Sequence, residues 1–213
     1  MSDDLNASGP GGAPEPATAP RFSFFYDIGS PYSWVVAERV AKSLPGAEWI
    51  PVMQPNVDDG PLWDGDQERI YDLAQKFGLL VPRFNEDRMN LTIADTRKMM
   101  LAATYAKSIG RAVAFSLAAF RQAFNAARAV DEEETILLAA AACEMHPRAV
   151  LKALEMSSVA ESLTAAGAAL RERVGGRTEL PLLLGTDAAG EPVNAQENDL
   201  FALALRDFAP VAG

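Results

Sequence analysis

Residues 22–34 read FSFFYDIGSPYSW, an apolar aromatic run that stops at a polar turn. Phe22, Phe24, Phe25 and Tyr26, bounded by Asp27 and Gly29, have the composition of a short buried strand ended by a turn. Ser30 followed by Pro31 reads as a helix start. Serine sits at the N-cap, and proline takes the first helical position, where its missing N–H is no loss. Val35, Val36, Val40 and Leu44 follow at helical spacing, and Pro45-Gly46 punctuates the end. A second apolar run at 49–53 returns as the next strand of a β-α-β unit. Ser30 is thereby placed at the carboxyl end of a strand and the amino end of a helix.

Unpaired backbone N–H groups and the helix dipole converge at such a point and favour negative charge. A thiolate is one such charge. In thioredoxin-like proteins this position holds the first cysteine of C-x-x-C, whose pKa the helix end lowers. Here Ser30 and Ser33 bracket Pro31-Tyr32 with the same spacing, and neither serine carries electrons. The one cysteine, Cys143, ends the apolar stretch 136–143 and reads as a small buried residue. Dithiol exchange by this chain alone is excluded.

The segment FYDIGSPYSWVVAERV resembles the active-site segment of the glutathione-dependent branch of the DsbA-like thioredoxin fold. That branch comprises kappa-class glutathione transferases and bacterial 2-hydroxychromene-2-carboxylate isomerases. The resemblance implies glutathione as cofactor and a Ser30 hydroxyl that hydrogen-bonds its sulfur. It implies an isomerase or transferase in which the thiolate adds to a conjugated carbon of a small aromatic or unsaturated acid. A cysteine-less thioredoxin-like module that binds an extended peptide or small acid is the alternative. A disulfide oxidoreductase conflicts with the absent C-x-x-C.

Residues 1–20, MSDDLNASGPGGAPEPATAP, are rich in Ala, Pro, Gly and Ser, with no apolar period. They read as a disordered tail rather than a signal peptide. No run approaches a membrane span in length, and a single cysteine with no export signal points to the cytoplasm. The formal net charge of −10 disfavours nucleic acid and anionic membrane as partners. One histidine and one cysteine make none of the usual zinc sites. His146, before Pro147, reads as part of a helix-to-helix turn. A homodimer is left open, since proteins of the resembled kind commonly pair.

From about 67 to 174 the pattern is helical. Segments are expected at 67–77, 95–109 and 111–127. Capping boxes are expected at Asp131/Glu134 and Ser158/Glu161, and Gly175-Gly176 ends the last helix. The run LPLLL at 180–184 then supplies a strand, a short strand follows around 192–194, and a final helix is expected at 197–208. A β-α-β half, a helical insertion and a β-β-α half make the DsbA-like α/β arrangement. The expected divisions are 1–20 tail, 21–65 first half, 66–175 insertion and 176–213 second half.

Pro181 at the start of a buried strand suggests a deliberate cis turn. In thioredoxin-like folds a cis-proline faces the active-site helix start, so Leu180 is expected to pair with the cysteinyl main chain of glutathione as a strand would. The related proteins hold the γ-glutamyl end with a G-x-D-R type segment. Here the stretch is NAQENDLFAL, where one register puts Glu197 and another Asn198 at the acidic position, with Asp199 replacing the usual arginine. Asn56 is expected to border glutathione. Tyr32, Ser33, Trp63, Arg88 and Asn90, with Phe84 nearby, are candidates for the substrate pocket.

Overall fold

The aromatic run forms β1 (Arg21–Tyr26), and its side chains alternate between two cores. This computed structural model describes residues 21–53, 62–86, 91–176, 179–186 and 192–195. Phe24 and Tyr26 point into the larger core, stacked on one another at 5.4 Å with Trp49 edge-on to both. Phe25 points to the opposite face, among Val52, Leu180, Leu182, Leu184 and Leu170. A strand buried on both faces reads as a continuous apolar run rather than a clean alternation, as this one does.

β1 is central in a four-stranded sheet of order β2-β1-β3-β4. β2 (Glu48–Pro51) lies parallel to it, Phe25 opposite Ile50. β3 (Leu182–Thr186) lies antiparallel, Phe25 opposite Leu182, and β4 (Pro192–Ala195) pairs antiparallel with β3. The crossover between β1 and β2 is α1 (Pro31–Ser43), which Ser30 caps and Pro31 begins.

Between β2 and β3 lie α2 (Gln67–Lys76), α3 (Ile93–Ser108), α4 (Ala112–Phe124), α5 (Glu133–Ala141), α6 (Pro147–Leu154) and α7 (Ser157–Val174). The chain is therefore an α/β thioredoxin-like core interrupted by a large helical insertion. α4 is tied to α1 by a two-pronged ion pair, Arg121 Nε and Nη2 donating to the Glu38 carboxylate at 2.8 and 2.9 Å. Positive φ at Gly78, Gly110 and Gly175 follows the ends of α2, α3 and α7, where the sequence places helix stops. His146 caps α6 through Nδ1, which accepts from the Arg148 N–H at 3.2 Å.

Two capping expectations are corrected. α5 starts one residue later than the Asp131 box requires, with Glu132 at its N-cap and no side-chain cap. The Glu132 N–H instead closes a turn onto the Ala129 carbonyl, and that turn takes up Asp131. α7 starts at Ser157 behind Met156, so Ser158 is already helical and its carbonyl accepts the Ser162 hydroxyl. The box that does form begins α3 two residues before the expected 95. The Thr92 N–H and hydroxyl both donate to Asp95 Oδ2 at 2.8 Å. β3 likewise begins at Leu182, beyond Pro181. The final helix expected at 197–208 lies outside the described residues.

Candidate active site

The four residues 27–30 link β1 to α1, and backbone and side chain both fix their path. Asp27 Oδ1 accepts the Gly29 N–H at 2.8 Å, and the Asp27 carbonyl accepts the Ser30 N–H at 3.1 Å. This is an Asx turn nested in a backbone turn. The Ile28 N–H is directed at Met100 Sδ, 3.3 Å away on α3. Gly29 is required by space. A Cβ there would collide with Thr96 Cγ2 and would lie 2.6 Å from Leu62 Cδ1. The turn is thus clamped between α1 and the first half of α3.

Ser30 extends from this turn as the N-cap of α1, its Oγ accepting the Ser33 N–H at 3.3 Å. A hydroxyl that accepts through a lone pair keeps its proton for another partner. Among the described residues no acceptor takes the Ser30 proton. Ser30 is 1% exposed, so that donor sits in a water-poor setting beside the helix end. Ser33, fully buried, accepts the Asp27 N–H through its own hydroxyl at 3.4 Å. It secures the turn from inside the helix.

The Leu180–Pro181 turn lies at the same end of the sheet as this turn. β1 ends and β3 begins at the same edge, since Phe25 faces Leu182 in antiparallel register. The Val52 N–H bonds the Tyr26 carbonyl at 3.0 Å, bringing the end of β2 to that edge too. The Leu180–Pro181 peptide immediately precedes Leu182 and is cis, as the sequence leads one to expect. Leu180 packs its side chain beside Phe25 and Val52. No backbone hydrogen bond joins Leu180 to another described residue.

Tyr32 is in the first turn of α1. It donates to the Asp64 carboxylate at 3.0 to 3.1 Å, and the Arg69 guanidinium lies 5.1 Å from its ring centre. Trp63 stacks on Phe84 at 5.4 Å, and both line a small cavity of about 30 Å³ that reaches Gly29, with Phe124 and Arg128 on its far wall. That is space of the size of a water or two, too small for an aromatic acid. Asn56, Arg88, Asn90, Glu197, Asn198 and Asp199 lie outside the described residues.

Some residues that shape the site escaped the motif-based reading. Asp27 reads from its neighbours as a strand boundary, although its D-x-G spacing to Gly29 is an Asx-turn signal. Thr96 and Met100 carry no local signal, because their role depends on α3 docking against the turn. Cys143 is buried as expected, with its thiol directed at the carbonyls of Ala139 and Ala140. Burial pushes that thiol's pKa up, away from the thiolate. The described residues contain no cluster of metal-ligating side chains. No described helix is long and apolar enough to cross a membrane.

No protein-family model matches the chain, and no curated protein matches it in sequence. Solved structures match it in shape. A 2-hydroxychromene-2-carboxylate isomerase superimposes with a TM-score of 0.68 at 17% identity, over 86% of this chain and 92% of that one. A probable DsbA oxidoreductase from Streptomyces coelicolor gives 0.64 at 19% identity, over 91% and 92%. The cytosolic disulfide reductase DsbM from Pseudomonas aeruginosa, solved with GSH, gives 0.58 at 15% identity, over 86% and 96%. The chain has the DsbA-like thioredoxin fold. At these identities the likeness establishes architecture, while the chemistry rests on the residues of the turn.

Proposed function

We propose that the protein is a glutathione-dependent isomerase or transferase acting on a small conjugated acid, with Ser30 as the residue that stabilises the glutathione thiolate. The observation that carries this reading is the Ser30 hydroxyl, which accepts the Ser33 N–H while its own proton has no acceptor among the described residues. A sulfur arriving at the start of α1 would take that proton as a hydrogen bond and would meet the positive end of the helix dipole.

The magnitudes are adequate. A free thiol has a pKa near ~8.5, so only a few per cent is ionised at neutral pH. Lowering it by about two units corresponds to roughly 2.7 kcal/mol of preference for the thiolate. A charge-assisted hydrogen bond of about 1.5–3 kcal/mol, with a helix end adding up to about 1 kcal/mol, covers that requirement. Burial strengthens both contributions by excluding water and opposes them by desolvating the thiolate. It also sets a demand, because glutathione must gain access to a hydroxyl that is 1% exposed in this structure.

In the isomerase outcome the thiolate adds to a conjugated carbon of the substrate, and the former double bond becomes free to rotate. Expulsion of the sulfur then restores the double bond and regenerates glutathione. In the transferase outcome the carbon–sulfur bond persists and a proton is taken up at the neighbouring carbon. Leu180, with backbone groups left unpaired by the described chain, is suited to hold the cysteinyl main chain. Support for this ligand comes from the fold shared with the reductase solved with GSH, and support for the reaction from the fold shared with the isomerase.

Calorimetric titration with reduced glutathione tests the reading, followed by turnover of an unsaturated aromatic acid with and without glutathione. Saturable binding with glutathione-dependent turnover is expected. A chain that binds no glutathione but does bind extended peptides would instead be a non-catalytic module built around the Leu180 edge. Insulin reduction is expected to be absent in either case, since Ser30 and Ser33 occupy the dithiol positions.

A further inference from the structure

A cavity of about 370 Å³ lies between β2, the second half of α3 and the first ten residues of α7, and none of its lining belongs to the Ser30 turn. Ligand pockets typically occupy about 300–1,000 Å³, so this space is of ligand size, unlike the cavity beside Gly29. Its floor is Ile50 and Pro51 of the sheet's edge strand, and Val159 and Met156 form an apolar wall. Pro51 has no N–H to offer, which makes this edge a poor template for an added strand. A compact molecule suits the space better than an extended peptide.

The polar groups around it select one kind of molecule. Three lining hydroxyls are committed to their own helices. Thr104 donates to the Met100 carbonyl at 2.8 Å, Ser108 to Tyr105 at 2.7 Å, and Ser162 to Ser158 at 2.8 Å. Three donors remain, the Tyr105 phenol and the Lys107 ammonium on the α3 wall and the Ser158 hydroxyl on α7. Lys107 is held at 2.8 Å by Glu48, which is itself not part of the lining. The lining thus carries one cation and no carboxylate, in a chain whose 29 acidic residues outnumber its 19 basic ones.

We infer that this cavity is a second small-molecule site, taking an amphipathic monocarboxylate. The apolar body lies on Ile50, Pro51, Met156 and Val159, and the carboxylate meets Tyr105 and Lys107. The inference is independent of the glutathione reading and is tested without turnover.

The probes are octanoate and the neutral octanamide, titrated calorimetrically into the full-length protein. Octanoate is expected to bind one molecule per chain, on the order of ten-fold more tightly than octanamide. Lys107→Gln should erase that preference, whereas Glu48→Gln, which frees Lys107, should bind octanoate at least as tightly as the unaltered chain. A merely structural ion pair would make both variants behave alike. Ser162→Trp, at an exposed lining position, and Ala166→Leu should each abolish binding of both probes while keeping the native circular dichroism. Excess glutathione should leave octanoate binding unchanged. Unsaturable binding, competition by glutathione, binding that survives the filled cavity, or an undiminished preference in Lys107→Gln would each overturn the inference.

Discussion

Gly29 and Thr96 are in contact so close that no Cβ fits between them, although 67 positions of sequence separate them. The helix α3 therefore rests directly on the backbone of the turn that presents Ser30. Gly29→Ala is expected to destabilise the fold by about 1–3 kcal/mol through overpacking. The double variant Gly29→Ala/Thr96→Ser removes the colliding methyl and should recover part of that loss, leaving the Leu62 contact. Urea unfolding of the four chains measures the coupling, and strict additivity would contradict the proposed contact.

Ser30 has a structural task apart from any chemistry. Its Oγ satisfies the Ser33 N–H, one of the donors a helix start leaves unpaired. Ser30→Ala should cost about 0.5–2 kcal/mol, while Ser30→Asn, another good N-cap, should cost much less. If both replacements lower the urea midpoint equally, the capping role is wrong. The Asn variant keeps the cap while exchanging the hydroxyl donor for an amide N–H, so functional assays compare the two donors with the cap intact.

Tyr26 is fully buried, with its phenol 2.6 Å from the Ser116 hydroxyl. Burial pushes the phenol's pKa above its ordinary 10, with the nearby Asp27 charge adding to the shift and the Ser116 bond opposing it. A raised folded-state pKa means that the native state holds the proton more tightly. The associated stability is whole below pH ~10 and declines as pH rises further, where the unfolded chain ionises first. Tyr26→Phe should lose about 1–3 kcal/mol near neutrality, because Ser116 loses its partner. The difference between the two proteins should shrink above pH 10 in urea titrations. A constant difference across that range would contradict the assignment.

Tyr32 and Asp64 fasten the segment after β2 to the first turn of α1. Tyr32→Phe is expected to leave the fold within about 1–2 kcal/mol of the unaltered chain. Its larger effect should be faster amide exchange at residues 62–66, measured by hydrogen exchange. Unchanged exchange there would show that the contact does not hold the segment.

The parts of the fold that follow from local rules were legible in the sequence. Strand, N-cap serine and N1 proline sit side by side in 22–34, and the glycines after α2, α3 and α7 mark real helix ends. The cis turn at Pro181 was legible because proline is out of place at the start of a buried strand. What failed was choosing among competing caps. Asp131 has the right spacing for a box, yet the turn closed by Glu132 and Ala129 takes it first. The contacts of Gly29 with Thr96 and of Tyr26 with Ser116 join distant segments, and no local pattern announces them. The cavity beside β2 was invisible for the same reason, since its walls come from three elements far apart in sequence.

We propose that the Ser30 hydroxyl stabilises a thiolate that the protein does not itself supply. Ultraviolet titration of the thiolate band of bound glutathione against pH, in the unaltered chain and in Ser30→Ala and Ser30→Asn, decides the matter. A bound-thiol pKa about two units below the free value is expected in the unaltered chain. A return towards the free value is expected in Ser30→Ala, and a smaller one in Ser30→Asn, which keeps the cap. A thiolate band that titrates identically in the unaltered chain and Ser30→Ala, with glutathione bound to both, would contradict it.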